Sequence, residues 1–398
     1  MKKYSQFQLI SILTPFVFTF ALGLDIYIPI LPQMTRIFDT SPALIQLTMS
    51  LFLLFTGLGQ LVIGPLADRY GRKPVLYISA LCFTLGAICS AQSDTIIGLI
   101  LARIVTSIGA CGMLVTSFAI VRDLYSNEQS AKMYSLLNGA IGISPTFAPI
   151  LGGYLYLYFG WQSVFYFLGF IGLLAFFVTK RYIHETLPVE NQIQIDRSLF
   201  ARYIEVLRNP QFMVFTVISG LAEAVFFCFF SISPFIIINH HGVPAHEFGY
   251  YFALFGCVIG LGGVASGKVL DKIGILPTLK IGIMLMFVGG CSMLGWHLVQ
   301  EDPSLTGFLL PMIIACMGAM FLVGGTASIA LEPFGAIAGT ASAALGALEF
   351  TISSLLGSLL MLFSTSTTVP YAISILLIAL LSTVIFILRP TAKQAAAS

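Results

Sequence analysis

The sequence predicts an all-α membrane protein with twelve transmembrane helices arranged as two pseudo-symmetric six-helix halves. Three observations carry that expectation. Hydrophobic residues make up 58% of the 398 and charged residues only 9%, with 34 Phe and 37 Gly, where a soluble domain carries roughly 25% charge. Lipid must therefore solvate most of the surface. Twelve apolar stretches come close to the roughly 20 residues that a helix needs to cross hydrocarbon. Finally, GPLADRYGRKP at Gly64–Pro74 returns in degraded form as GKVLDKIGILP at Gly267–Pro277, an offset of 203 residues (267 − 64). Each copy is a short charged turn between two apolar stretches. A parallel repeat spanning half the chain suits a carrier that rocks one half against the other.

Spans are expected at residues 9–31, 43–63, 75–93, 95–121, 133–157 and 161–179 in the first half, residues 1–180. The second half, 210–398, offers 211–238, 248–267, 276–298, 307–330, 336–363 and 369–388. The third and fourth spans are parted only at Ala91–Asp94, and the tenth and eleventh only at Glu332–Gly335. Residues 181–209 form a polar linker with charges of both signs, long enough for a short surface helix around Ser198–Arg208. The first apolar stretch reads as a span, since it lacks a small-residue cleavage site. With the N-terminus inside, every Lys and Arg except Arg36 and Arg103 falls in a cytoplasmic segment or at a cytoplasmic end. An odd number of spans would scatter them over both sides, so the asymmetry supports the count and the direction together. Both termini are expected in the cytoplasm, and the membrane is expected to be a bacterial-type inner membrane.

Other classes fall away. A net charge of +2 leaves no basic stripe for nucleic acid. Cys82, Cys89, Cys111, Cys228, Cys257, Cys291 and Cys316 all lie in apolar stretches without CxxC or metal spacing, and read as small packing residues. His240, His241 and His246 in the loop Asn239–Glu247 read as solvated rather than as a metal site. Another outer loop carries Glu301 and Asp302. There is no nucleotide loop, metal cluster or nucleophile–base pair, so no enzyme and no cofactor are expected beyond protons as coupling ion. The partners expected are a small-molecule substrate and membrane lipid, and a monomer suffices.

Charges at membrane depth are costly and mark function. Four are found: Asp25, Arg103, Glu223 and Glu349. Asp25 precedes Pro29, which removes the N–H that would bond the Asp25 carbonyl. A carboxyl in a partly dry cavity can take a proton from one side and release it on the other. Arg103 is the cation that can anchor it, and the alternative is a fixed Asp25–Arg103 ion pair. Glu223 and Glu349 either attract a cationic substrate, form a second proton site, or stand protonated at helix contacts. Tyr27, Phe226 and Phe230 join them as candidate substrate contacts, although a Phe stripe equally suits packing or lipid.

The repeated turn has a mechanical reading. Gly64 and Gly71 allow a tight reversal, and Asp68 can accept hydrogen bonds at a helix N-terminus. Arg69 and Arg72, with Lys73, hold the turn among cytoplasmic headgroups. Arg122 is the expected partner of Asp68, making an ionic lock between the halves; topology alone would also explain the basic turn. Gly142, Pro145, Pro149, Gly152 and Gly153 concentrate helix breakers in the fifth span, a hinge or close-packing segment.

At these residues the chain resembles the major facilitator superfamily. GPLADRYGRKP is similar to that family's loop between its second and third helices. PILGG at Pro149–Gly153 resembles its antiporter motif, with Ala148 where Gly is usual. RIVTSIGACG at Arg103–Gly112 resembles the fourth-helix motif, with Thr106 in place of a Gln that would support the Arg. LDIYIPILP at Leu24–Pro32 resembles the Bcr/CflA drug–proton antiporters. The resemblance implies the major facilitator fold and export of small amphiphilic compounds in exchange for protons, of the multidrug-efflux and antibiotic-resistance type, with Asp25 and Arg103 in the coupling step. A carrier for one metabolite, such as a siderophore, sugar or amino acid derivative, in either direction, is the alternative. A non-transporting sensor of the same fold is a third reading.

Overall fold

A computed structural model describes residues 5–125, 127–187, 197–300 and 304–389. Lys2, Lys3, Lys393, Glu301, Asp302 and the middle of the linker lie outside the described residues. Twelve helices among those described are long and apolar enough to cross a membrane, and no strand occurs among them.

The chain divides into two compact units. The first takes Met1–Arg197 with Ala245–Ala253, and the second Ser198–Pro244 with Leu254–Ser398. The first span of unit 1 is α1 (Gln6–Asp25), a 3-10 turn at Ile28–Ile30 and α2 (Leu31–Ile37). Its break falls where Pro29 removes the N–H that would bond the Asp25 carbonyl. There follow α3 (Pro42–Tyr70), α4 (Arg72–Ala91), α5 (Ile96–Leu124), α6 (Asn127–Phe159) and α7 (Gln162–Tyr182). Unit 2 opens within α8 (Arg197–Arg208), the short helix expected in the linker, whose first residue is counted in unit 1; Asn209 joins it to α9 (Pro210–Pro234). The remaining helices are α10 (Ala245–Ile273), whose first turns belong to unit 1, then α11 (Ile275–Val299), α12 (Leu305–Leu331), α13 (Ala338–Leu360) and α14 (Val369–Ile387).

Local chemistry sets the helix starts. Ser5, Ser41, Thr95, Asn209 and Ser304 each accept a first-turn N–H through the side chain, satisfying donors that a helix leaves open at its N-terminus. The two weakest expected breaks are real: α4 stops at Ala91, and a 3-10 segment Glu332–Ile337 separates α12 from α13. In both copies of the repeated turn a glycine with positive φ starts the next helix, Gly71 at 95° and Gly274 at 82°, a region a side chain would strain.

The two units share several of their internal pairings. In unit 1, α4 packs on α5 and α7, and α1 on α5 and α6. In unit 2, α11 packs on α12 and α14, and α9 on α12 and α13. The degraded sequence repeat thus extends to these helix pairings. Of the cysteines, Cys111, Cys228 and Cys316 are buried as packing residues, while Cys89, Cys257 and Cys291 are exposed on helix surfaces; all seven are free.

Candidate transport site

The membrane-depth charges of unit 1 meet at the C-terminal end of α1. A helix leaves its last carbonyls without intrahelical partners and carries partial negative charge there. Arg103 on α5 answers that end, donating from Nη2 to the Gly23 carbonyl at 2.6 Å. Its guanidinium is fully buried among three rings, with its central carbon 4.4 Å from the Phe52 centroid, 5.3 Å from Tyr27 and 6.0 Å from Phe165. Desolvated contacts of this kind are worth about 2 kcal/mol. Among the described residues its Nε and Nη1 have no hydrogen-bond partner. Thr106 offers none, because its hydroxyl donates to Ala102 on its own helix at 2.8 Å.

Asp25 is 3% exposed and accepts from the Ser144 hydroxyl of α6 at 2.8 Å. Among the described residues no ion pair joins Asp25 to Arg103, so the fixed pair weighed from sequence is not formed. Arg103 instead holds the backbone two residues before Asp25, and Asp25 turns to α6. Tyr27 is fully buried, packed on Arg103 and within 3.0 Å of the Thr48 hydroxyl. It supports the guanidinium and is closed off from any cavity.

In unit 2 a carboxyl–serine pair again bridges the first and fifth helices, with the roles exchanged. Glu349 on α13 accepts from Ser219 on α9 at 2.5 Å. Glu223 lies one helical turn beyond Ser219, half-buried, with no hydrogen bond among the described residues. Phe226 and Phe230 are 5% and 8% exposed and stack edge-on against Phe255 at 5.8 and 5.1 Å. Both rings thus pack on α10.

The charged turn proves richer than its motif. Arg72 is 2% exposed and reaches Asp68 from Nη1 at 2.6 Å and Asp123 from Nε at 2.8 Å, with Nη2 on the second Asp123 oxygen at 3.3 Å. Thr186 donates to Asp123 at 3.0 Å. Glu185 accepts the backbone N–H groups of Arg72 and Lys73 at 2.9 and 3.0 Å, a carboxylate at the positive end of α4. The expected partner Arg122 stands 3.7 Å from Asp68 and is half exposed, so it is peripheral. Arg72 occupies the centre because its planar fork can serve two carboxylates together. Arg69 instead lies 5.1 Å from the Tyr70 ring. All of these partners belong to unit 1, so the described cluster clamps α3, α4, α5 and the segment after α7 to one another. Gly64 admits close approach only to Val115. In the second copy the position of Arg72 is Ile275, and the clamp is missing among the described residues.

The fifth-span breakers divide by surroundings. α6 runs unbroken through Pro145 and Pro149. Among the described residues nothing lies within 4 Å of a side chain at Gly142, whereas one at Gly152 would strike the Ile26 carbonyl and one at Gly153 the Ala245 carbonyl. Gly152→Ala is therefore expected to cost about 1–3 kcal/mol and to lower the thermal midpoint, while Gly142→Ala leaves it unchanged or slightly raised. Equal midpoints for the two variants would show that α6 does not need this approach.

Two repeating bundles that keep their charges at membrane depth form the architecture of a secondary transporter. The chain belongs to the Major Facilitator Superfamily, whose model matches residues 13–358. It is 31% identical over 345 residues to the chloramphenicol resistance protein of Pseudomonas aeruginosa, covering 86% of this chain and 80% of that one. It is 28% identical over 342 residues to a bicyclomycin resistance protein homolog of Haemophilus influenzae, covering 84% and 82%. The resemblance to the Bcr/CflA group therefore extends over most of the chain. The fold also matches that of a D-xylose–proton symporter, with TM-score 0.73, 16% identity, and 94% and 96% of the two chains covered.

Proposed function

We propose that this protein is a proton-coupled antiporter that exports small amphiphilic organic compounds by alternating access across a bacterial-type inner membrane, with both termini in the cytoplasm. The observation that carries the reading is Asp25, a buried carboxyl at a helix break, bonded to one hydroxyl and left outside any ion pair among the described residues. Such a group can be proton carrier and cargo sensor in turn, because its charged form is tolerated only while a partner or water faces it. Ser144 ties its state to α6, the helix of Pro145, Pro149 and Gly152. The Arg72 clamp keeps the turn between α3 and α4 rigid, so that movement of the bundle is not lost in local bending. The fifth-span motif and the resistance names of the relatives favour export over uptake. No cofactor takes part, and a monomer suffices.

The test uses purified protein in liposomes with an imposed pH gradient and a panel of amphiphilic drugs and cell metabolites. Compound-dependent proton movement supports antiport. No movement with any compound, from protein shown to be folded, overturns it.

Glu223 and Glu349 are the second part of the proposal, as the contact for positively charged cargo. Glu223→Gln or Glu349→Gln is expected to reduce transport of a permanent organic cation such as tetraphenylphosphonium by about tenfold, while sparing neutral chloramphenicol, since one lost charge contact is worth roughly 1.4 kcal/mol. Equal loss for both compounds would move these carboxyls from cargo recognition to the proton pathway.

A further inference from the structure

Unit 2 has a groove lined by none of the residues placed in the proposed transport cycle. Between α11 and α14 runs an open-sided cavity of about 480 Å3. Lys280, Met284 and Phe287 line it from α11 at intervals of four and three residues, one stripe of a helix face. Thr383, Ile387 and Arg389 line the other side. Its two cations sit at one end. Lys280 is in the second turn of α11, and Arg389 lies two residues past Ile387, the end of α14. Beyond them the walls are apolar and open, with Met284 58% and Ile387 71% exposed.

Arg389 is held in place rather than loose. Its Nη1 donates to the Phe386 carbonyl at 2.8 Å, and its guanidinium lies 4.0 Å above the Phe386 ring. Among the described residues its remaining donors have no partner, and Lys280 has no ion pair. The depth suits a headgroup. The 25 residues of α11 span about 37 Å, a little more than the roughly 30 Å of hydrocarbon. Lys280, about 7 Å from the helix start, can extend its ammonium outwards to the phosphate level.

We propose that this groove binds an anionic phospholipid of the surrounding leaflet. The phosphate sits between Lys280 and Arg389, and one acyl chain lies along Met284, Phe287 and Ile387. Two cations heading an apolar trough match a molecule with charge at one end only. The free edge of a guanidinium fork suits phosphate oxygens, and basic pockets between membrane helices select anionic headgroups. Inorganic phosphate would leave the apolar walls uncovered. The inference requires only that the chain spans a membrane, and it stands apart from the proton reading.

The experiment is native mass spectrometry of the purified full chain titrated with phosphatidylglycerol or phosphatidylcholine. Wild type is expected to retain phosphatidylglycerol preferentially, and Lys280→Ala/Arg389→Ala to bind it about thirtyfold more weakly, from the loss of two interfacial charges. The basic pair on α8 is the control, and Arg202→Ala/Arg208→Ala leaves binding unchanged. Equal phosphatidylglycerol binding by wild type and the groove variant overturns the proposal. So does equal affinity for the two lipids, or displacement of bound lipid by inorganic phosphate. A second measurement keeps both cations: the added emission of Met284→Trp is quenched more by brominated phosphatidylglycerol than by brominated phosphatidylcholine. Equal quenching also overturns it.

Discussion

Replacing Asp25 with Asn is expected to bring compound-dependent proton movement in liposomes down to background, while the protein remains folded. Asn has the shape of a protonated Asp and can still bond Ser144, so the contact between α1 and α6 survives. Only the ability to change charge is removed. The consequence is large because the coupling is energetic. One charge moved through the membrane is worth about 2.3 kcal/mol per 100 mV, which sustains roughly a fiftyfold gradient at 1.4 kcal/mol per decade. Without a titrating group the cargo can exchange down its own gradient, but it cannot be driven. Proton flux that persists in Asp25→Asn would remove Asp25 from the mechanism. Loss of flux together with loss of the folded state, read from the thermal midpoint, would leave Asp25 a structural residue.

The second large effect is expected at Arg72. Removing it leaves Asp68 and Asp123 facing each other, with Asp123 13% exposed and thus poorly hydrated. Breaking a buried pair costs about 3–5 kcal/mol; because Asp68 is 30% exposed, the lower end of that range applies. Arg72→Ala should lower the thermal midpoint markedly and weaken transport with every cargo alike. Arg72→Lys recovers only part of this, since an ammonium cannot serve both carboxylates from one plane. Lys73→Ala is the control, because its half-buried ammonium has, among the described residues, only the Tyr77 ring beside it. An Arg72→Ala protein as stable as wild type would show that the clamp is ornamental and that the basic turn acts through topology alone.

These two residues also show what local reading can reach. Asp25 stood out because a carboxyl within an apolar stretch needs no partner to be conspicuous, and the break after it followed from Pro29. Arg72 was visible as part of a motif, yet its partners were not. Asp123 lies 51 residues away and Glu185 113, and nothing in the local sequence of either points to Arg72. Ser144 and Ser219 were invisible for the same reason, each meeting its carboxyl across more than a hundred residues. Phe226 and Phe230 stand out in the sequence as candidate cargo contacts, and the structure packs both on Phe255 of α10, a contact that the Phe run of α9 does not by itself reveal.

The sequence by itself determined the solvent, the number of spans, the breaks between them and the division into two repeating halves. These depend on the free energy of placing each residue in lipid or water and on local backbone chemistry, both of which are set within a few positions of the residue concerned. Only the tertiary structure decided that Asp25 turns to Ser144 instead of Arg103, that Arg103 closes the end of α1 among aromatic rings, and that Arg72 rather than Arg122 centres the clamp. In lipid, hydrophobicity does not separate the inner face of a helix from its outer face. The choice of partner rests on packing and hydrogen bonding between helices distant in the chain, and that geometry exists only once the bundle has formed.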